Sequence, residues 1–120
     1  MGKRYCPRMS AKPRATDIKE DIARRLRAAR SVVFDSAAKC ARALDVPKNT
    51  WQHYEAGERY PDPYHLVRFC DATGFTADFI YRGRFKGIME DVQIRLAAEY
   101  PDLVDSAPDV VHSAKVEVPA

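Results

Sequence analysis

Long apolar runs are missing from this sequence. Nothing approaches the roughly 20 consecutive nonpolar residues of a membrane-spanning helix, so no membrane association is expected. The basic N-terminus lacks the apolar core of a secretory signal, which makes a cytoplasmic location the expectation. Cysteine is scarce. Cys6, Cys40 and Cys70 are odd in number, far apart and form no CxxC, so a disulfide framework is not implied. Cys40 and Cys70 instead fall within helical apolar patterns, where a reduced thiol packs as a small hydrophobe. A metal site from Cys6, His53, His65 and Cys70 fails on spacing, because His65 and Cys70 are five apart and no compact four-ligand set exists. Only five glycines are present, and none builds a loop that could cradle a phosphate. Nothing resembles a Cys/His nucleophilic pair, so no enzyme activity, metal or cofactor is expected. Strand-like alternation and internal repeats are absent too.

What remains is a short chain with an uneven charge. At 120 residues there is room for one domain with a modest core and a tail. The formal net charge of +3 hides ten Lys/Arg against three Asp/Glu in residues 1–30. Residues 31–83 are near neutral, and residues 84–120 carry more acid than base. Residues 1–15, with two prolines, five basic residues and no period, read as a disordered arm. Such an arm suits either phosphate-seeking or simple solubilisation.

Apolar residues spaced three and four apart mark a helix from about Asp17 to Arg30, with a buried stripe of Ile18, Ile22, Leu26, Ala29 and Val33. Thr16 is its expected N-cap, and Arg24, Arg25 and Arg27 fall on its solvent side. Ser36 caps a second helix running to about Leu44. Pro47 opens a third, to about Ala56, because proline is tolerated in a first turn and rejected later. Asp62-Pro63 starts a fourth helix through Leu66, Val67, Phe69 and Cys70, stopped by Gly74. Thr76 caps a fifth, Ala77–Tyr81. A basic connector, Arg84-Phe85-Lys86, leads to a sixth amphipathic helix from about Ile88 to Tyr100, with Pro101 as terminator. Its stripe of Ile88, Val92 and Leu96 must be buried either against the chain's own domain or in a dimer. From Asp102 to Ala120 a flexible tail is expected.

The densest signal lies between Ala37 and Ala56, A-A-K-C-A-R-A-L-D-V-P-K-N-T-W-Q-H-Y-E-A, followed by Gly57. It has the layout of two short helices around a sharp turn, with Ala38, Ala41 and Leu44 inward on the first and Trp51 and Tyr54 inward on the second. Asp45 can take the left-handed backbone conformation that such a turn needs. The outward face of the second helix carries Lys48, Asn49, Thr50, Gln52 and His53, donors and acceptors suited to base edges and phosphates.

In the order of five helices, the L-D-V turn and the run T-W-Q-H-Y-E-A-G-E-R-Y-P, residues from about Ile18 to Ile80 resemble the lambda-repressor-like, or XRE-type, helix-turn-helix family. The resemblance implies an all-α, five-helix DNA-binding domain over residues 16–83, followed by a connector and extra C-terminal helix over 84–101 and the tail over 102–120. It places Lys48, Asn49 and Gln52 at positions that meet base edges in the major groove, and Thr50 and His53 at positions near bases or phosphates. It also implies an ion pair between Arg30 and Glu55. That pair makes physical sense by itself, since a glutamate near a helix C-terminus faces the wrong end of the dipole and needs a cation.

The sequence departs from the family pattern at Ala37, where glutamine commonly anchors a phosphate, at Ala56, often asparagine, at Glu58, usually basic, and at Asp45, usually glycine. Arg59, Lys48, Lys39 and the basic arm are the available replacements for the lost phosphate contacts. The implied function is a sequence-specific transcriptional regulator of the small prophage type. It would repress by operator occupancy as a homodimer on double-stranded DNA. The alternatives are an antitoxin-type autoregulator that masks a toxin through its C-terminal helix or tail, and a phage-encoded protein-binding factor on the same fold.

Overall fold

The computed structural model describes residues 14–110, and within them the chain is all helical, with no strand. The arm expected over 1–15 and the end of the tail expected over 102–120 lie, for residues 1–13 and 111–120, outside the described residues. The order is α1 (Ala15–Val33), α2 (Ala37–Leu44), α3 (Lys48–Glu55), α4 (Pro63–Thr73), α5 (Ala77–Arg82), α6 (Glu90–Glu99) and α7 (Pro101–Asp105). The long α1 is the central element. It packs on α2, α3, α5 and α6, while α2 also packs on α3 and α4.

Local chemistry sets most of the boundaries. Ser36 accepts a hydrogen bond from the Lys39 amide, Asp62 from that of Tyr64 and Thr76 from that of Phe79, which caps α2, α4 and α5. Pro63 sits in the first turn of α4, where its missing N–H costs nothing. Asp45 ends α2 at φ 58°, ψ 46°, in the left-handed region, and with Val46 and Pro47 reverses the chain into α3. Gly74 ends α4 at φ 92°, and a Cβ there would lie 2.5 Å from the Met89 sulfur. The backbone angle calls for glycine, and a side chain there would in addition have to displace that of Met89. The Met89 amide donates to the Gly74 carbonyl at 3.0 Å, fixing the 88–89 segment there.

One hydrophobic core runs through all seven helices. Trp51, Tyr54, Phe69, Phe79, Leu26, Leu66, Ile80 and Leu96 are its largest members, each at most 1% exposed. The aromatic rings form a continuous row. Tyr54 meets Trp51 at 5.7 Å between centroids, Trp51 meets Phe69 at 5.5 Å, and Phe69 meets Phe75 at 6.4 Å. Phe75 then meets Phe79 at 5.7 Å and Phe79 meets Phe85 edge-on at 5.4 Å. Such contacts add to the burial of each ring and prefer the offset and edge-on geometries seen here. Cys40 and Cys70 lie partly or wholly inside, and burial pushes their thiols up to about 12 and about 11. They are inert protonated hydrophobes at neutral pH.

Several expectations are corrected. Helix α1 starts at Ala15, so Thr16 lies inside its first turn and the N-cap position is Arg14, which pairs instead with Asp17. It ends at Val33 rather than Arg30 because Val32, 1% exposed, adds another buried turn. Ile18, read as part of the buried stripe, is 38% exposed, and Val67 on α4 is exposed as well. Arg25 is not a solvated side chain: its Nε and Nη2 donate to the carbonyls of Ile80 and Tyr81 at 3.0 Å each, satisfying the end of α5.

The largest correction concerns the C-terminal part. Pro101 does not close the structured chain but opens α7, and residues up to 110 are packed rather than a loose tail. Leu103 and Ala107 are buried, and the Asp109 carboxylate accepts from the amides of Phe85 and Lys86 at 2.8 Å each. The apolar stripe of α6 is spent inside the chain. Helix α6 begins at Glu90 rather than about Ile88, so Ile88 precedes it. Ile88, Val92 and Leu96 all belong to the common core, and Tyr100, just past the end of α6, shares a 2.7 Å hydrogen bond with Ser31 of α1.

Candidate nucleic-acid interface

Helix α3 is only eight residues long, so its own hydrogen bonds cannot hold it and tertiary contacts must. Three of those eight side chains face inward: Trp51, Tyr54 and Glu55 are buried. The rest point away. Lys48, Asn49, Gln52 and His53 are exposed and Thr50 is half-buried, so the four exposed side chains form one continuous polar surface. The helix begins at Pro47 with no side chain capping it. Lys48 and Asn49 stand exposed at this positive end of the helix dipole, an arrangement that favours a polyanion.

The opposite end of α3 is fastened to α1. Arg30 Nε donates to Glu55 Oε2 at 2.9 Å and Arg30 Nη2 to Glu55 Oε1 at 3.1 Å, a bidentate pair with both side chains largely shielded from solvent. The hydrogen bonds that Arg30 donates to Glu55 raise its pKa above the ordinary arginine value, outweighing partial burial. Arg27 Nη1 donates to the Glu55 carbonyl at 2.5 Å, supplying one of the partners that the end of the helix lacks. Tyr54 Oη and His65 Nδ1 are 2.8 Å apart, which ties α3 to α4.

The remaining site residues are distributed around this surface. Lys39 is exposed on α2, with its Nζ 3.1 Å from Asp35 Oδ2 one turn earlier. Arg59 is exposed in the segment after α3. His53 is engaged through Nδ1 by Glu58, so that carboxylate at the edge of the polar face is occupied by a neighbour rather than left alone. The structure therefore gathers Lys48, Asn49, Gln52 and His53 on one helix face, keeps Lys39 on the preceding helix, and places the Arg30–Glu55 pair behind the face.

Two contributors escape a reading by residue pattern. Trp51 fits the core as a large apolar ring, but its indole Nε1 also donates to Glu55 Oε2 at 2.6 Å. The signal was available, since Trp51 and Glu55 stand four apart on one helix. Arg27 reads as surface charge, yet it lies one turn before Arg30 on the side facing the end of α3. Among the described residues no three His, Cys, Asp or Glu side chains converge on a point, and no helix is long and apolar enough to cross a membrane.

No curated protein and no solved structure matches the chain. A family model described as a helix-turn-helix domain matches residues 21–79, from the second turn of α1 to the middle of α5. That span contains α2, the left-handed turn at Asp45 and α3 with its clamp, so residues 21–79 are a helix-turn-helix domain.

Proposed function

We propose that this protein is a sequence-specific DNA-binding transcriptional regulator that represses by occupying its operator. One observation carries the reading: α3 is anchored from behind by Trp51, Tyr54 and Glu55 while Lys48, Asn49, Gln52 and His53 stand exposed together. In this reading α3 enters the major groove N-terminus first. Asn49 and Gln52 present amides that pair bidentately with adenine, Lys48 meets guanine or phosphate, and Thr50 and His53 lie beside them. Lys39 and Arg59 flank the helix as phosphate contacts. The basic residues of the N-terminal arm add sequence-independent attraction.

Two copies on a two-fold site would address half-sites about one helical turn apart. Ile88, Val92 and Leu96 are unavailable for pairing them, because the chain buries those residues itself. Self-burial of that stripe leaves Ile94 as the exposed large apolar side chain of α6 for the alternative in which this helix captures a toxin or another protein.

The test is selection of a preferred duplex from random DNA, followed by titration of Lys48→Ala and Gln52→Ala. Each variant is expected to lose about 1–3 kcal/mol on the selected site and far less on random DNA. Unchanged discrimination in both variants would remove α3 as the reading helix.

A further inference from the structure

We infer that Trp51 is a positioning residue for DNA reading, and that its indole N–H sets the angle at which α3 presents Lys48, Asn49 and Gln52. The inference rests on α3 being the reading helix.

The geometry around Glu55 is the ground for it. Glu55 is 7% exposed and its carboxylate takes three donors: Trp51 Nε1 at 2.6 Å and Arg30 Nε at 2.9 Å on Oε2, and Arg30 Nη2 at 3.1 Å on Oε1. Arg30 and Arg27, reaching from α1, hold the end of α3, but the ion pair grips the helix only through the Glu55 side chain, whose own torsions it does not fix. Trp51 removes that freedom. It is fully buried, wedged edge-on against Tyr54 and tilted against Phe69 of α4, and it returns its N–H to the carboxylate that Arg30 holds. Ring and carboxylate lie one turn apart on the same helix face, so the bond, which lies within α3, fixes the Glu55 carboxylate on the helix and makes its ion pair with Arg30 a stiff link between α3 and α1. The neighbouring positions 48, 49 and 52 lie on the outer side of this locked turn. A small rotation there displaces their terminal atoms by more than the tolerance of a bidentate base contact.

A phenylalanine would keep most of the apolar burial, with a small cavity where the larger indole stood. What it lacks is the donor. Tryptophan at this position thus supplies direction as well as volume, since a hydrogen bond onto a buried carboxylate is more directional than apolar contact.

The experiment compares Trp51→Phe and Glu55→Gln with Phe79→Leu, a buried change in α5 away from the polar face. Backbone amide exchange is measured without DNA, and binding is measured on the selected duplex and on random DNA. Trp51→Phe is expected to speed exchange in α3 about tenfold relative to α1, and to cut affinity for the selected duplex about tenfold. Its affinity for random DNA should change less than about twofold. Glu55→Gln, which keeps an acceptor but loses the ion pair, should loosen α3 at least as much. Phe79→Leu should speed exchange in α1 and α3 together and leave the ratio of selected to random binding intact. The inference is overturned if Trp51→Phe behaves as Phe79→Leu does, with both helices loosening in step and no loss of discrimination. Should the parent select no duplex while α3 alone loosens in Trp51→Phe, the DNA reading fails and the lock on α3 stands.

Discussion

Helices α3 and α6 are both short, both amphipathic and both packed on α1, yet they are held by different forces. Behind α3 stand a bidentate ion pair, an indole hydrogen bond and an arginine on a backbone carbonyl, each with a required direction. Behind α6 stand Val92 and Leu96, with a hydroxyl pair only at its end. Apolar burial scales with area and has no preferred angle. It suits a helix whose task is to cover the core. Directional bonds suit a helix whose outward side chains must arrive in a set orientation, and α3 is the one whose outer face carries Lys48, Asn49, Gln52 and His53.

The comparison can be broken by substitution. Arg30→Ala leaves Glu55 buried with an uncompensated charge, a loss expected at about 4 kcal/mol in chemical denaturation, and it should also reduce discrimination between selected and random DNA. Leu96→Ala is expected to cost about 3 kcal/mol through lost burial and the cavity left behind, with discrimination preserved as long as the protein is folded. Equal loss of discrimination in the two variants would erase the distinction between α3 and α6.

A smaller effect sharpens it. Asp109→Asn weakens the latch on the Phe85 and Lys86 amides, with about 1 kcal/mol expected. Slight desolvation raises the Asp109 pKa, but the amide hydrogen bonds outweigh it and the net shift is downward. The folded carboxyl therefore releases its proton more readily than the unfolded one. The latch should be complete above the ordinary aspartate range and be lost as pH falls through its depressed value, which acid titration of parent against Asp109→Asn would show.

The legibility of the chain follows the same division. Caps, proline positions and the Asp45 turn are local events, and each is written within two or three residues of where it acts. The polar face of α3 was legible for the same reason. Arg25, Arg27 and the indole of Trp51 were not, because each acts on a partner defined by tertiary packing or serves two functions at once. Apolar periodicity cannot score a long side chain that lies along a neighbour and ends on a carbonyl. The fate of α6 was open as well. A stripe declares that it will be buried without declaring against what. Pro101 does stop α6, but the residue that ends one helix is equally fit to begin the next, and α7 was not legible for that reason. Leu103 and Ala107, four apart in a short acidic segment, gave too brief a period to be recognised.

The row of rings from Tyr54 to Phe85 has a practical side. It contains the only tryptophan of the sequence, at the junction between the exposed helix and the interior. Emission from that single fluorophore reports on this junction alone, and no dye need be attached to the face that would meet a duplex. Titrating unlabelled protein with oligonucleotides would register any disturbance of the anchoring directly as a change in intrinsic fluorescence.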